Sequence, residues 1–409
     1  MPRTSLGRRS RARSLPLARL LLDEFEREED IRAALFYPVV VERLLIPDLR
    51  FDPDDCADAN ALEDYRFTCA ELKQLASLML IPDVFITAAG DRVTGLEALA
   101  MLCYKLFYPG KLSRIRKQFG RSDCSCSRII TELYTIYFND RIYAENHAAY
   151  VQAITNKTNG VVERVSMFID GTKAFICRPG KRKRRILAMQ SALDCIPVGD
   201  RENLQKVCYS GHKRRHCLNC QGVCTPDGTP CYESYFVYSE TYLVMQIGLC
   251  ISFFGPIEGR LHDVTMLSDS KLLPYLSNHP ILKDPGIIIY GDPACGIDEL
   301  LCSPFMDAHV RSAEKRFNTI MSKSRVSVEW MFSIIKQKWA FLDWNKKHKI
   351  LLTPVGRMVR VAVLLTNAST CLRKGNQISE YFGCTPPDVV DYFRKPQHVR
   401  DLRDQPIFA

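Results

Sequence analysis

Gly286 to Asp292 reads Gly-Ile-Ile-Ile-Tyr-Gly-Asp. A short apolar run with no polar face is consistent with a strand buried in the middle of a sheet, and such a sheet needs helices on both sides. A second run, Arg164 to Asp170 (Arg-Val-Ser-Met-Phe-Ile-Asp), alternates like a strand and stops at Gly171-Thr172. Both runs end in an aspartate. A long helix is predicted from about Ser322 to Leu342, with Val328, Met331, Phe332, Ile335, Trp339 and Leu342 as its apolar stripe. Strands interleaved with helices predict a mixed α/β domain over residues 160–372, and no internal repeat is present.

Residues 23–150 predict a helical region. Thr94-Gly95-Leu96-Glu97 carries the spacing of a capping box, and Leu96, Leu99, Ala100, Cys103, Leu106 and Phe107 follow at helical intervals. Pro109-Gly110 ends that helix. A short basic helix from Leu112 to Phe119 follows, then Gly120, then a third helix from Ser122 or Ser125 to Phe138. This is the layout of a helix-turn-helix over about 94–138, whose third helix would enter a major groove with Arg121, Ser122, Ser125, Ser127 and Arg128 as contacts. An ordinary three-helix packing unit has the same layout. Ahead of this region, residues 1–22 hold six arginines and no acid, which reads as a basic disordered arm, with a DNA-contacting or nuclear-import arm or a presequence as alternatives. Residues 373–409 form a tail.

The 409 residues are 46% hydrophobic and 25% charged, which excludes a mostly disordered chain. The net charge of +10 favours a polyanionic partner. Seventeen cysteines are too dilute for a disulfide scaffold, and their odd number favours a reducing compartment. The most hydrophobic run, Tyr235 to Phe254, is interrupted by Ser239, Glu240, Thr241 and Gln246, so no membrane span is expected.

Three carboxylates carry the chemistry. A carboxylate at the tip of a strand projects from a rigid edge, and two such strands side by side would bring Asp170 and Asp292 within reach of shared metal. Glu329 lies on the long helix, where Arg325, Glu329 and Lys336 fall within about 40° of one another at the edge of the apolar stripe. Hard divalent cations such as Mg²⁺ prefer carboxylate oxygens. Two of them roughly 3.5–4 Å apart assist both the attacking and the leaving oxygen of a phosphodiester. Taken singly, each acid reads equally as a strand-end cap, a turn residue or an ion-pair partner.

Five segments occur in order: Phe168-Ile-Asp-Gly-Thr172, Tyr209-Ser-Gly-His-Lys213, Phe254-Gly-Pro-Ile-Glu-Gly259 with His262-Asp263, Tyr290-Gly-Asp-Pro-Ala294, and Arg325-Val-Ser-Val-Glu329. Together, over roughly residues 90–385, they resemble the DDE transposase domain of the Harbinger (PIF/IS5-like) superfamily and the nucleases derived from it. The resemblance implies an RNase H-like mixed sheet flanked by helices and preceded by an all-α helix-turn-helix region. It implies Asp170, Asp292 and Glu329 as catalytic, metal-holding residues, Mg²⁺ or Mn²⁺ as cofactor, DNA as substrate and the nucleus as the place of action. A Myb-like accessory protein and a homo-oligomer are the further partners it brings. Arg121, Arg128, Lys213, Arg214, Arg325 and Lys336 are the candidate DNA contacts, and Arg357 and Arg360 share a helical face that could serve the same end.

Two stretches depart from the family pattern, about 181–206 (with Lys181-Arg-Lys-Arg-Arg185) and about 229–250. They read as retained introns or element decay. Entry at hairpin turns would spare the core, because lengthening a loop costs little entropy, whereas entry within strand pairing would destroy it. Cys295 stands where the family has an aromatic residue. His212, His216, Cys217, Cys220, Cys224 and Cys231 have zinc-like spacing in part, although a strand over Cys217–Val223 would turn alternate residues to opposite faces. Asp263 reads as a helix N-cap or as a group just outside the metal ligands. The reading is a metal-dependent DNA endonuclease or transposase; the rivals are a DNA-binding or scaffold protein without turnover and a zinc-binding interaction protein.

Overall fold

The computed structural model describes residues 45–133, 140–180, 203–227, 230–231, 253–278, 288–306, 310–344, 348–350 and 353–393. The chain divides into a unit of residues 1–47, of which only 45–47 are described, and a unit of 48–409. The basic arm, nearly all of both departing stretches, residues 134–138 of the third predicted helix and the end of the tail lie outside the described residues.

The second unit opens with α1 (Asp58–Tyr65) and α2 (Cys69–Leu78), the latter closed by a Thr68/Glu71 capping box. A two-stranded hairpin follows, β1 (Val84–Ile86) with β2 (Arg92–Thr94), so the front region is not all-α. Then come α3 (Gly95–Phe107), α4 (Leu112–Phe119) and α5 (Asp123–Glu132), which pack on one another. Gly120 ends α4 in the left-handed conformation that its missing Cβ permits. Thr94 Oγ1 accepts from the Glu97 backbone N–H at 3.1 Å, so half of the expected capping box forms. The Glu97 carboxylate turns instead to Arg121, with bonds of 2.6 and 2.9 Å. Helix α3 is buried almost all round, as a helix at the centre of a core must be.

After α6 (Asp140–Lys157) comes the sheet. Its strands are β3 (Val165–Phe175), β4 (Tyr209–Ser210, preceded by the short α7, Leu204–Val207), β5 (Arg215–Cys224), β6 (Pro230–Cys231), β7 (Phe253–Glu258), β8 (Ile288–Tyr290) and β9 (Leu301–Cys302). β3 lies between β5, antiparallel to it, and β8, parallel to it, and β9 extends the parallel side. On its other edge β5 pairs antiparallel with β4, β7 and β6 along successive stretches. A mixed sheet in this order, flanked by helices, is consistent with an RNase H-like core.

Both departing stretches fall between antiparallel neighbours: 181–206 between β3 and β5, and 229–250 between β5 and β7. The β3–β5 ladder is continuous from Phe168↔Cys224 to Phe175↔Cys217. The β3–β5 pairing is thus uninterrupted across the first stretch, and β6, at the start of the second, pairs with β5.

Two helical layers cover the sheet. α10 (Ser312–Lys338) shares a core with Phe168, Cys220, Cys224 and Tyr290 through Val328, Met331, Phe332 and Ile335. The opposite face, with Met167, Ile169, Val223 and Ile289, packs with α8 (Asp263–Ser270), α9 (Leu272–Asn278) and Tyr150 of α6. α10 begins ten residues earlier than its apolar stripe indicates and ends before Trp339. Trp339 and Leu342 are buried beyond its end, beside a 3₁₀ turn at Ala340–Asp343. α11 (Val355–Leu372), α12 (Gln377–Phe382) and α13 (Val389–Phe393) close the unit, so residues 377–393 are part of the fold rather than a tail.

Candidate active site

The register of one strand pair assembles the site. β3 and β8 are parallel, with Phe168 opposite Tyr290. Side chains alternate along strands with period two, so Asp170, two residues past Phe168, lies on the face that α10 covers. It stands within β3, which runs on to Phe175, rather than at the strand end expected from the sequence. Asp292 follows the last residue of β8 by two and caps a 3₁₀ turn, its Oδ1 accepting from the Ala294 N–H at 2.8 Å. Gly222 of β5, register partner of Asp170, lets α10 close on the sheet: a Cβ there would lie 2.9 Å from both Met331 Cε and the Phe332 ring. That close approach holds Arg325 and Glu329, on the rim of α10, beside Asp170.

The Arg325 guanidinium spans two of the acids. Its Nη1 lies 3.3 Å from Asp170 Oδ2 and its Nη2 3.1 Å from Glu329 Oε1. Asp170 is largely buried, with 18% of its side chain exposed, whereas Glu329 is 53% exposed. Burial pushes the Asp170 carboxyl above the usual carboxylate range. Arg325 and the Gly171 N–H, which donates to Oδ1 at 2.8 Å, oppose that shift, while the negative charges of Asp292 and Glu329 reinforce it. Both other predicted acids thus act electrostatically on Asp170.

A donor set of three carboxylates on a partly buried edge matches a hard divalent cation in kind. Asp170, raised mainly by burial and further by the like charges of Asp292 and Glu329, is a group whose charged form a cation would stabilise. In spacing the set is not closed: among the described residues, no three His, Cys, Asp or Glu side chains are grouped tightly enough to hold an ion. Arg325 stands in the gap.

Two neighbours frame the acids from the opposite face. Asp263 Oδ1 is 2.9 Å from where a Cβ on Gly171 would be. Asp263 is therefore the first residue of α8 turned towards the strand, and the N-cap position belongs to His262. Cys295 is hydrogen-bonded to Asp292; burial first, then the Asp292 charge, pushes its thiol up to about 12. Cys295 Sγ also lies 3.0 Å from where a Cβ on Gly291 would be. The residue type that replaces the expected aromatic is thus in contact with the second acid.

The cationic candidates divide. Arg121 is held bidentately by the buried Glu97 and also donates to the Arg92 carbonyl at 3.0 Å. Arg128 is held by Asp91, with bonds of 2.5 and 2.7 Å. Ser122 caps α5 by accepting from the Ser125 N–H, and Ser125 is buried. Of the five residues predicted to enter a groove, Ser127 is exposed, Arg121 ties α5 to Glu97 of α3, and Arg128, 40% exposed, ties α5 to Asp91 in the β1–β2 turn. Lys213 and Arg214 stand exposed with His212 and Arg215 at the turn between β4 and β5. Lys336 lies one side of the acids: with Arg360 and Lys173 it places positive charge on Cys220, whose register partner Thr172 is two residues past Asp170. Arg360 is buried rather than presented to solvent. Lys173, which donates to Asn219 Oδ1 at 2.9 Å, carried no sequence signal beyond its charge.

Cys217, Cys220 and Cys224 are buried, and Cys217 and Cys220, three apart on a strand, point to opposite faces. The side chain of Cys231 lies outside the described residues.

Residues 232–367 match the family model described as DDE superfamily endonuclease, which bears out the family resemblance over that stretch. Asp292 and Glu329 lie inside the match, and Asp170 lies ahead of it on β3. No curated protein and no solved structure matches the chain.

Proposed function

We propose that this chain is a DDE-type, divalent-metal-dependent DNA endonuclease of the transposase kind. The observation that supports the reading is the parallel register of β3 and β8, with the charges of Asp292 and Glu329 both acting on Asp170. Asp170 and Asp292 would hold two Mg²⁺ or Mn²⁺ ions, and Glu329 one of them. When bound, such ions supply charge stabilisation for the attacking and leaving oxygens of a phosphodiester.

The chain's own residues do the rest. Asp170 must lose its proton before it can hold a cation, and its burial delays that loss to a pH above the usual carboxylate range. Arg325 and Lys336 flank the acids and neutralise the phosphate that approaches them. Lys213 and Arg214 on the β4–β5 turn contact the DNA backbone at a distance from the cut. The front helices, stabilised by the Glu97–Arg121 and Asp91–Arg128 pairs, orient the duplex as a rigid unit. The place of action is the nucleus, with a Myb-like accessory protein or a second copy of the chain as additional partners.

A second reading, a DNA-binding or scaffold protein without turnover, is favoured by one observation: Arg325 fills the space between Asp170 and Glu329. Nicking of supercoiled plasmid separates the two. The nuclease reading expects relaxed circles only with Mg²⁺ or Mn²⁺, and none from Asp170→Asn, Asp292→Asn or Glu329→Gln. DNA binding by wild type with no metal-dependent nicking supports the scaffold.

A further inference from the structure

We propose that Arg325 is an exchangeable counter-ion: it occupies the position between Asp170 and Glu329 until a divalent cation takes its place, and the guanidinium so released binds DNA phosphate. This inference rests on the nuclease reading above and adds the order in which its parts engage.

The geometry makes the two occupants mutually exclusive. Guanidinium nitrogens lie 3.3 Å from Asp170 Oδ2 and 3.1 Å from Glu329 Oε1. An Mg²⁺ ion shared by the same two carboxylates needs their oxygens at about 2.0–2.1 Å and a shell of water around it. A guanidinium cannot remain within hydrogen-bond reach of both oxygens while that ion is present, because like charges at such separation repel strongly in a partly buried site. The Arg325 side chain is itself only 22% exposed, so it has little room to lean away without leaving the pair altogether.

The released group has one chemically matched destination. Arg325 sits one turn before Glu329 on the rim of α10, so it remains beside the acids after it lets go. The groups that face it there are Asp170 and Glu329, now neutralised by the ion, and the Tyr290 hydroxyl, which feels its charge. A guanidinium fork with no carboxylate partner binds a phosphate oxygen pair well, which is the group that the metal site receives.

Linkage then follows. A ligand that binds free Arg325 removes the competitor of the cation, so DNA strengthens metal binding and metal strengthens DNA binding by the same factor. Without DNA the pair Asp170–Arg325–Glu329 keeps the acids ordered and the site quiet.

The test uses the full chain and Mn²⁺ titrations by calorimetry. Wild type is titrated with and without a 20-base-pair duplex, the Mn²⁺ bound by the duplex alone being subtracted. Arg325→Gln, Arg325→Lys and Asp170→Asn are titrated alongside, with thermal melts to check folding. The proposal expects Arg325→Gln to bind Mn²⁺ roughly tenfold more tightly than wild type, with Arg325→Lys between them. It expects the duplex to raise the Mn²⁺ affinity of wild type by a similar factor and to leave that of Arg325→Gln unchanged. Equal or weaker Mn²⁺ binding by Arg325→Gln, with binding still abolished by Asp170→Asn, overturns the exchange while the nuclease reading stands. No effect of the duplex on wild type overturns it too, without recourse to any variant. Absence of saturable Mn²⁺ binding in wild type overturns the nuclease reading and the exchange together.

Discussion

Phe168 and Tyr290 are partners across a parallel strand pair, and two residues past each of them stand Asp170 and Asp292, the charge of the second acting on the first. Both rings lie in the core that α10 seals, so the acids two residues beyond them stand where the covering helix gives way to solvent. Anything that moves α10 moves Arg325 and Glu329 against Asp170.

Gly222→Ala measures that dependence. The new methyl would meet Met331 Cε and the Phe332 ring at 2.9 Å. Met331 can turn aside, but a ring packed in the core cannot do so without shifting the helix. Overpacking of this kind costs about 1–3 kcal/mol. A urea melt is expected to show that loss, and nicking activity is expected to fall further than stability does, because Glu329 is displaced. Unchanged stability would show that α10 does not bear on β5 at this point.

Asp170→Asn tests the electrostatics through pH. Burial raises the folded-state carboxyl above its unfolded value, so ionising it costs stability. Below the unfolded value both states hold the proton and the cost is absent. As pH rises through the raised value, the cost comes in and then levels off. The asparagine variant is therefore expected to melt at or above the wild-type temperature near pH 7 in the absence of metal, with the difference vanishing at acid pH. It should also lose metal-dependent cleavage. A variant less stable than wild type at pH 7 and equal to it at low pH would reverse the sign of the argument.

The two groups of cations separate cleanly. Arg121→Ala leaves Glu97, whose side chain is 5% exposed, without its partner. Breaking such a buried pair costs about 3–5 kcal/mol, which a urea melt would register. Lys213→Gln with Arg214→Gln removes exposed charge from a turn and is expected to leave the melt within about 0.5 kcal/mol. The same double change should weaken duplex binding and lower the salt dependence by about 0.9 for each phosphate contact removed. A melt unaffected by Arg121→Ala would return that arginine to the list of DNA contacts.

Much of this architecture was legible in the residues. α4 begins and ends at Leu112 and Phe119 as its spacing indicates, because Gly120 stops it sharply. Asp170, Asp292 and Glu329 could be picked out because alternation along a strand and helical phase are local properties, although Asp170, expected at a strand end, lies within β3. Other features depended on distant partners. The hairpin at β1 and β2 is built from three-residue strands with exposed Val84 and Ile86, so it carries no burial pattern to read. Gly171-Thr172 resembles a turn, yet β3 runs on to Phe175 because β5 pairs with it throughout. The first turns of α10 are polar around Phe317 and Met321, so the helix starts well before its apolar stripe. Arg121 and Arg128 sit where a recognition helix would place contacts, and only the fold shows Glu97 and Asp91 already holding them.

The central claim is that Asp170, Asp292 and Glu329 hold divalent cations in common. The most direct measurement is the number of Mn²⁺ ions bound per chain, followed by electron paramagnetic resonance in the presence of duplex DNA. Two saturable ions in wild type, with loss of at least one in Asp170→Asn, Asp292→Asn and Glu329→Gln alike, is the result this account predicts. Binding that is absent in wild type, or that survives all three substitutions unchanged, would contradict it.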